Sequence, residues 1–213
     1  MSFDRICFDF DSTLSRVEGI DELAKRVGLG DEMARLTNAA MNGEVSLESV
    51  YGRRLELIKP DREAIDWLSD LYIREIVDGV TEVFEQLLKA NKNIHIISGG
   101  ILQAILPMAK KLHLPEDQVH AVKIFFNEDG SYHDFDRESM LARTGGKADA
   151  CRQIGSEGGR LAMVGDGKTD LEAKQAGASF IGFGGVAERA IVKDQADYYI
   201  STPNLIPVLE YLL

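Results

Sequence analysis

Residues Ile6-Cys7-Phe8 form an apolar run that ends on Asp9-Phe10-Asp11-Ser12-Thr13-Leu14, two carboxylates spaced i, i+2. Such a run reads as a buried strand, and open α/β sheets bind ligands outside the carboxyl ends of their strands. Two like charges at a strand mouth repel. In partial burial they stay ionised only when a cation or strong donors compensate them. The stretch predicts a compensated, carboxylate-rich site; the plainer alternative is an acidic turn closing a strand.

Three later stretches carry chemistry-bearing residues: Ile94-His95-Ile96-Ile97-Ser98-Gly99-Gly100, Gly145-Gly146-Lys147, and Val164-Gly165-Asp166-Gly167-Lys168-Thr169-Asp170. Around them helical and strand patterns alternate. Helices are predicted over 80–91, 101–112 (interrupted near Pro107), 147–155 and 170–176, and strands over 94–97, 119–126, 160–164, 178–182 and 196–200. Asn127-Glu128-Asp129-Gly130 reads as a hairpin turn, because Asp-Gly accepts the positive φ of a tight turn. The alternation implies a Rossmann-like α/β core, a parallel sheet with helices on both faces.

Residues 16–75 differ in character. Ile20, Leu23, Ala24 and Val27 recur at helical spacing, and Gly28 and Gly30 stop that segment. Further helical patterns cover 31–41, 46–57 and 61–74, with Asp31, Ser46 and Asp61 as candidate N-caps. The expected organisation is a core of residues 1–15 and 76–213, with a helical-bundle cap over 16–75 and a small β-hairpin in the core.

At 213 residues the chain suits one substantial core plus an insert. A net charge of −11 argues against a nucleic-acid surface, so an anionic ligand must find a local positive site. No apolar run approaches the roughly 18 residues of a membrane span, and no leader pattern opens the chain, which predicts a cytoplasmic protein without a membrane partner. Cys7 and Cys151 read as buried thiols, and the four histidines lack metal-ligand spacing.

Taken together, the four stretches resemble, in order, the nucleophile, Ser/Thr, lysine and acidic metal motifs of the haloacid dehalogenase superfamily. The resemblance implies that Asp9 attacks phosphorus and carries an aspartyl-phosphate. It makes Asp11 the acid that protonates the departing alkoxide and then the base for water. It implies Mg²⁺ held by Asp9, the Asp11 carbonyl and Asp166, with Asp170 holding it directly or through water, a carboxylate-rich set that suits this ion. Ser98, Gly99 and Lys147 hold the phosphate; glycines opening a helix favour an anion there.

Asp9 to Thr13, Glu18-Gly19-Ile20-Asp21-Glu22-Leu23-Ala24, Ser98-Gly99-Gly100 and Gly182-Phe183-Gly184-Gly185 resemble the phosphoserine phosphatase family more closely still. That resemblance implies Glu18 on the substrate ammonium and Arg54 on its carboxylate, a group that a planar guanidinium grips in bidentate fashion. Met41 and Leu47 match cap positions over the substrate, and Thr169 joins the substrate-contacting set. Lys168 before Thr169, Leu47 and Asn42 depart from the usual family residues. The implied reaction is Mg²⁺-dependent hydrolysis of O-phospho-L-serine, the last step of serine biosynthesis, by a monomer or homodimer. The alternative is action on another small phosphorylated metabolite, such as phosphohomoserine or phosphothreonine, or phosphotransfer to an alcohol. A receiver-type signalling module would need no helical insert. A dinucleotide-binding oxidoreductase, suggested only by Gly182 to Ala187, lacks the acidic residue about 20 positions on.

Overall fold

The computed structural model describes residues 2–42 and 44–213, with the side chains of Thr37, Ala40, Met41, Asn42 and Leu47 outside the description. The expectations for Met41 and Leu47 as substrate-covering side chains therefore lie outside the described residues.

Strand β1 (Arg5–Phe8) is followed by helices α1 (Gly19–Arg26), α2 (Gly30–Asn42), α3 (Leu47–Ile58) and α4 (Arg62–Arg74). Then come α5 (Val80–Lys89), β2 (Asn93–Ile101), α6 (Leu102–Lys111), β3 (Val119–Val122), β4 (Ile124–Phe126) and β5 (Tyr132–Phe135). The chain continues through α7 (Gly146–Gly155), β6 (Leu161–Gly165), α8 (Lys168–Leu171), β7 (Ser179–Phe183), α9 (Ala190–Gln195), β8 (Tyr198–Ile200) and α10 (Leu209–Leu212). Six strands form a sheet in the order β3-β2-β1-β6-β7-β8, and every pairing in it is parallel. β4 and β5 form a separate antiparallel hairpin. The α/β architecture expected from the alternating pattern is thus present, and among the described residues no helix is long and apolar enough to cross a membrane.

β1 is the strand from which the order runs out in both directions, toward β2 and β3 on one side and toward β6, β7 and β8 on the other. That reversal opens a crevice at the carboxyl ends of β1 and β6, the place where such sheets bind ligands. Because β1 is covered on both faces, Ile6, Cys7 and Phe8 are all fully buried, and Phe8 packs on Phe84 of α5 with ring centroids 5.1 Å apart. Each such side chain contributes about 1.5–3 kcal/mol of burial, which fixes the strand that presents the two aspartates.

Several local expectations need correction. The run 119–126 is not one strand. Val119–Val122 stays in the parallel sheet, whereas Ile124–Phe126 turns away to pair with β5, and the Gln103 side chain takes up Ile124 N (3.2 Å) and Ile124 O (2.6 Å). α6 runs through Pro107 without interruption; the ring removes a single i→i−4 donor. Gly99 and Gly100 do not open a helix. They remain in β2, which continues past a register shift between Ile97 and Ile101 before α6 begins at Leu102. The predicted helix over 170–176 is a short α8 followed by a 3₁₀ turn over Glu172–Ala176. Among the candidate caps, Asp61 accepts from Ala64 N at 2.8 Å, Ser46 sits at the N-cap position without a side-chain bond, and Asp31 lies inside a helix that starts at Gly30.

Candidate active site

The turn after β1 is built by Phe10, whose carbonyl accepts from Leu14 N (2.8 Å) and Ser15 N (3.0 Å) while Ser12 takes a left-handed φ of 55°. Asp9 N still donates to Val164 O of β6 at 2.9 Å, so the Asp9 side chain is fixed at the strand mouth beside Asp166. Asp9, Asp166 and Asp170 are 3%, 1% and 0% exposed, and each offers a carboxylate oxygen within 4.8 Å of the others.

Lys147 compensates part of this charge. It reaches the cluster because Gly145 adopts φ 80° and Gly146 passes so close to Met140 O that a Cβ there would sit 1.8 Å from it. Both glycines are needed for the tight entry into α7. Lys147 Nζ then lies 2.6 Å from Asp9 Oδ1 and 2.6 Å from Asp170 Oδ1, and Asp170 Oδ2 accepts from Gly167 N at 3.0 Å. From the other side, buried Arg189 donates Nε to Asp166 Oδ2 at 3.0 Å. Its Nη1 donates to Asn38 Oδ1 of α2 at 3.4 Å, and its Nη2 is 4.0 Å from Glu18 Oε1.

Two cations facing three buried carboxylates leave the cluster short of positive charge, and the titration behaviour reflects that. Burial, with Asp9 adding to it, raises Asp170 to about 7. Burial first, then Glu18 and Asp9, holds Asp166 well above the carboxylate range. Asp11 is raised likewise by burial and by the charges of Glu18 and Asp9, and Glu18 by burial. Burial alone would lower Lys147, but Asp170 and Asp9 outweigh it and keep the amine firmly protonated. Three oxygen donors with an unmet demand for positive charge fit a divalent cation.

Beside the cluster lies a cavity lined by Asp9, Asp11, Ser98 and Lys147 on the core side and by Glu18 and Arg54 on the helical side. Gly99 and Thr169 also line it, and Thr169 Oγ1 is buried with no partner among the described residues. Ser98 Oγ accepts from Gly100 N at 2.9 Å, Ser12 Oγ donates to Glu18 Oε1 at 2.6 Å, and Gly19 N donates to Asp11 Oδ1 at 3.4 Å. Arg54 is buried, with its guanidinium carbon 5.7 Å from the Tyr51 ring centroid.

The structure therefore brings Asp9, Asp11, Glu18, Arg54, Ser98, Gly99, Lys147 and Thr169 to one cavity, with Asp166 and Asp170 grouped around Asp9. Three neighbours escaped the sequence reading: Tyr51, Tyr72 and Arg189. Tyr51 carries a usable signal, since it precedes Arg54 by three residues on one helix and shares its face; its hydroxyl donates to Gly99 O at 2.8 Å. Tyr72 and Arg189 belong to no motif.

A family model for haloacid dehalogenase-like hydrolases matches residues 3–177, and the chain belongs to that family. Within it the chain falls among the phosphoserine phosphatases. It is 38% identical over 202 residues to the phosphoserine phosphatase of Bos taurus and likewise to that of Homo sapiens, covering 94% of this chain and 90% of each relative. Among solved structures it resembles a phosphoserine phosphohydrolase-like protein from Francisella tularensis, with a TM-score of 0.89, 26% identity and full coverage of both chains. It is also similar to a phosphoserine phosphatase solved as a phospho-aspartyl intermediate analogue, with a TM-score of 0.83 at 26% identity and full coverage of both chains.

Proposed function

We propose that this chain hydrolyses O-phospho-L-serine to L-serine and phosphate through an aspartyl-phosphate on Asp9. The observation that carries the reading is the shared cavity: a phosphoryl-transfer set at its floor, and opposite it one half-buried anion, Glu18, and one buried cation, Arg54. A substrate bearing a phosphate, an ammonium and a carboxylate satisfies all three.

Asp9 is the nucleophile. Lys147 orients its carboxylate and neutralises the phosphoryl oxygens together with the Ser98 hydroxyl and the Gly99 amide. As the bond from Asp9 to phosphorus forms and the bond from phosphorus to the serine oxygen breaks, Asp11 delivers its proton to that oxygen. The raised proton affinity of Asp11 suits it to the acid role. Asp11 then takes a proton from water as the water attacks phosphorus, and Asp9 departs as a carboxylate. Asp9, Asp166 and Asp170, with the Asp11 carbonyl, are the residues that would hold Mg²⁺, which when bound supplies charge stabilisation to the transferring phosphoryl group.

Residues 16–75 serve as a cap over a core formed by 1–15 and 76–213. Contacts between the two support this: Tyr51 to Gly99 O, and Glu48 Oε2 accepting from Thr144 N (2.8 Å) and Thr144 Oγ1 (2.7 Å) just before Lys147. A phosphate-release panel over phosphoserine, phosphothreonine, phosphohomoserine and sugar phosphates, with Mg²⁺ and with or without an acceptor alcohol, tests the reading. Preference for phosphoserine and transfer to water support it; preference for a sugar phosphate overturns it.

A further inference from the structure

We infer that Tyr72 completes the ammonium subsite, its hydroxyl oxygen accepting one N–H of the substrate's primary ammonium group while Glu18 takes another. This rests on the phosphoserine reading above. Tyr72 sits on the buried face of α4 and lines the cavity shared with Asp11, Glu18 and Arg54. It is 0% exposed, and its hydroxyl, next to the Asp11 carboxylate, makes no hydrogen bond of full geometry among the described residues, which leaves its lone pairs unpartnered. A buried hydroxyl left in that state costs free energy unless a ligand satisfies it.

The placement of the hydroxyl is well determined. The ring stands edge-on to Phe10 with centroids 4.7 Å apart at 81°, and a Cβ on Gly19 would lie 1.9 Å from the Tyr72 oxygen, so the hydroxyl occupies the space that the missing side chain of Gly19 leaves beside Glu18. Burial first, then the charge of Asp11 and the hydrogen bond to it, keep the phenol protonated. Its proton can therefore turn toward a carboxylate while its lone pairs face the cavity. An ammonium group offers three donors and no acceptor, which matches a lone pair beside an anion.

Tyr72→Phe tests this with three phosphate monoesters: phosphoserine, phosphoethanolamine (ammonium without carboxylate) and 3-phosphooxypropanoate (carboxylate without ammonium). The expected result is a KM raised roughly tenfold for the two amines and unchanged for 3-phosphooxypropanoate, with any change in kcat, which the contact with Asp11 transmits, shared by all three esters. The melting temperature of the ligand-free variant should stay close to that of the parent, because the Asp11 carboxylate that the deleted hydroxyl faces keeps the Gly19 amide as a donor. An equal rise in KM on all three esters, or an unchanged KM for both amines, overturns the subsite and leaves the phosphatase reading intact. A parent enzyme inactive on phosphoserine overturns both.

Discussion

Arg189 Nε lies 3.0 Å from Asp166 Oδ2, so a buried guanidinium occupies one of the three carboxylates that Lys147 only partly neutralises. The pair has two consequences of opposite sign. It relieves repulsion in the metal-free protein, and it opposes a cation at the same site. Arg189→Ala should lower the stability of metal-stripped protein by about 3 kcal/mol, as for a buried pair that loses one member. It should also tighten Mg²⁺ binding by roughly tenfold. Titration calorimetry on stripped protein measures the second effect without turnover, and weaker Mg²⁺ binding would show that Arg189 supports the site rather than competes for it.

Lys147 bridges Asp9 and Asp170 at 2.6 Å to each. Lys147→Met should reduce kcat by at least roughly 10³-fold, the scale of losing a positioned charge on the transferring group. It should also destabilise metal-free protein by about 3–5 kcal/mol, with part of that loss recovered on adding Mg²⁺. Denaturant melts with and without the ion check this.

For Arg54→Ala, kcat/KM for phosphoserine should fall roughly 10²-fold through loss of charge-assisted bonds to the carboxylate, while phosphoethanolamine, which has no carboxylate, is little affected. Equal losses on both esters would remove Arg54 from carboxylate recognition.

His95 Nδ1 and His120 Nε2 are 3.1 Å apart across β2 and β3, and burial together with His120 lowers His95 to about 4, while burial lowers His120. A base depressed in the folded state contributes stability that is complete above its unfolded value, about 6.5, and is lost as pH falls toward the folded value. Asp170, raised to about 7, acts in the other direction in metal-free protein: its contribution is complete below about 3.8 and is lost as pH rises through 7. Melts run with Mg²⁺ between pH 6.5 and 4 should show a steeper loss in the parent than in a variant with both histidines replaced by Phe. Identical slopes would mean the imidazole pair carries no linkage.

Much of this was legible in the chain because strand-end motifs are local. Asp9, Asp11, Ser98 and Asp166 each follow an apolar run, and the parallel order that gathers those runs follows from alternation with helices. The run 119–126 divides because strand propensity does not reveal which sheet a strand joins; Ile124–Phe126 leaves for β5 through the Asn127–Gly130 turn that directly follows it. Arg189 and Tyr72 were invisible for a related reason. Tyr72 lies on α4, whose pattern reports only burial, and Arg189 in the loop before α9; each reaches the site through tertiary placement. Glu18 and Arg54 were accessible through family resemblance, not through spacing.

Covalent trapping tests the central claim most directly. Protein mixed with phosphoserine and Mg²⁺, quenched within milliseconds to seconds, reduced with borohydride and digested should yield one modified peptide, with the change at Asp9. Modification at another residue, or unimpaired turnover by Asp9→Asn, would contradict the account.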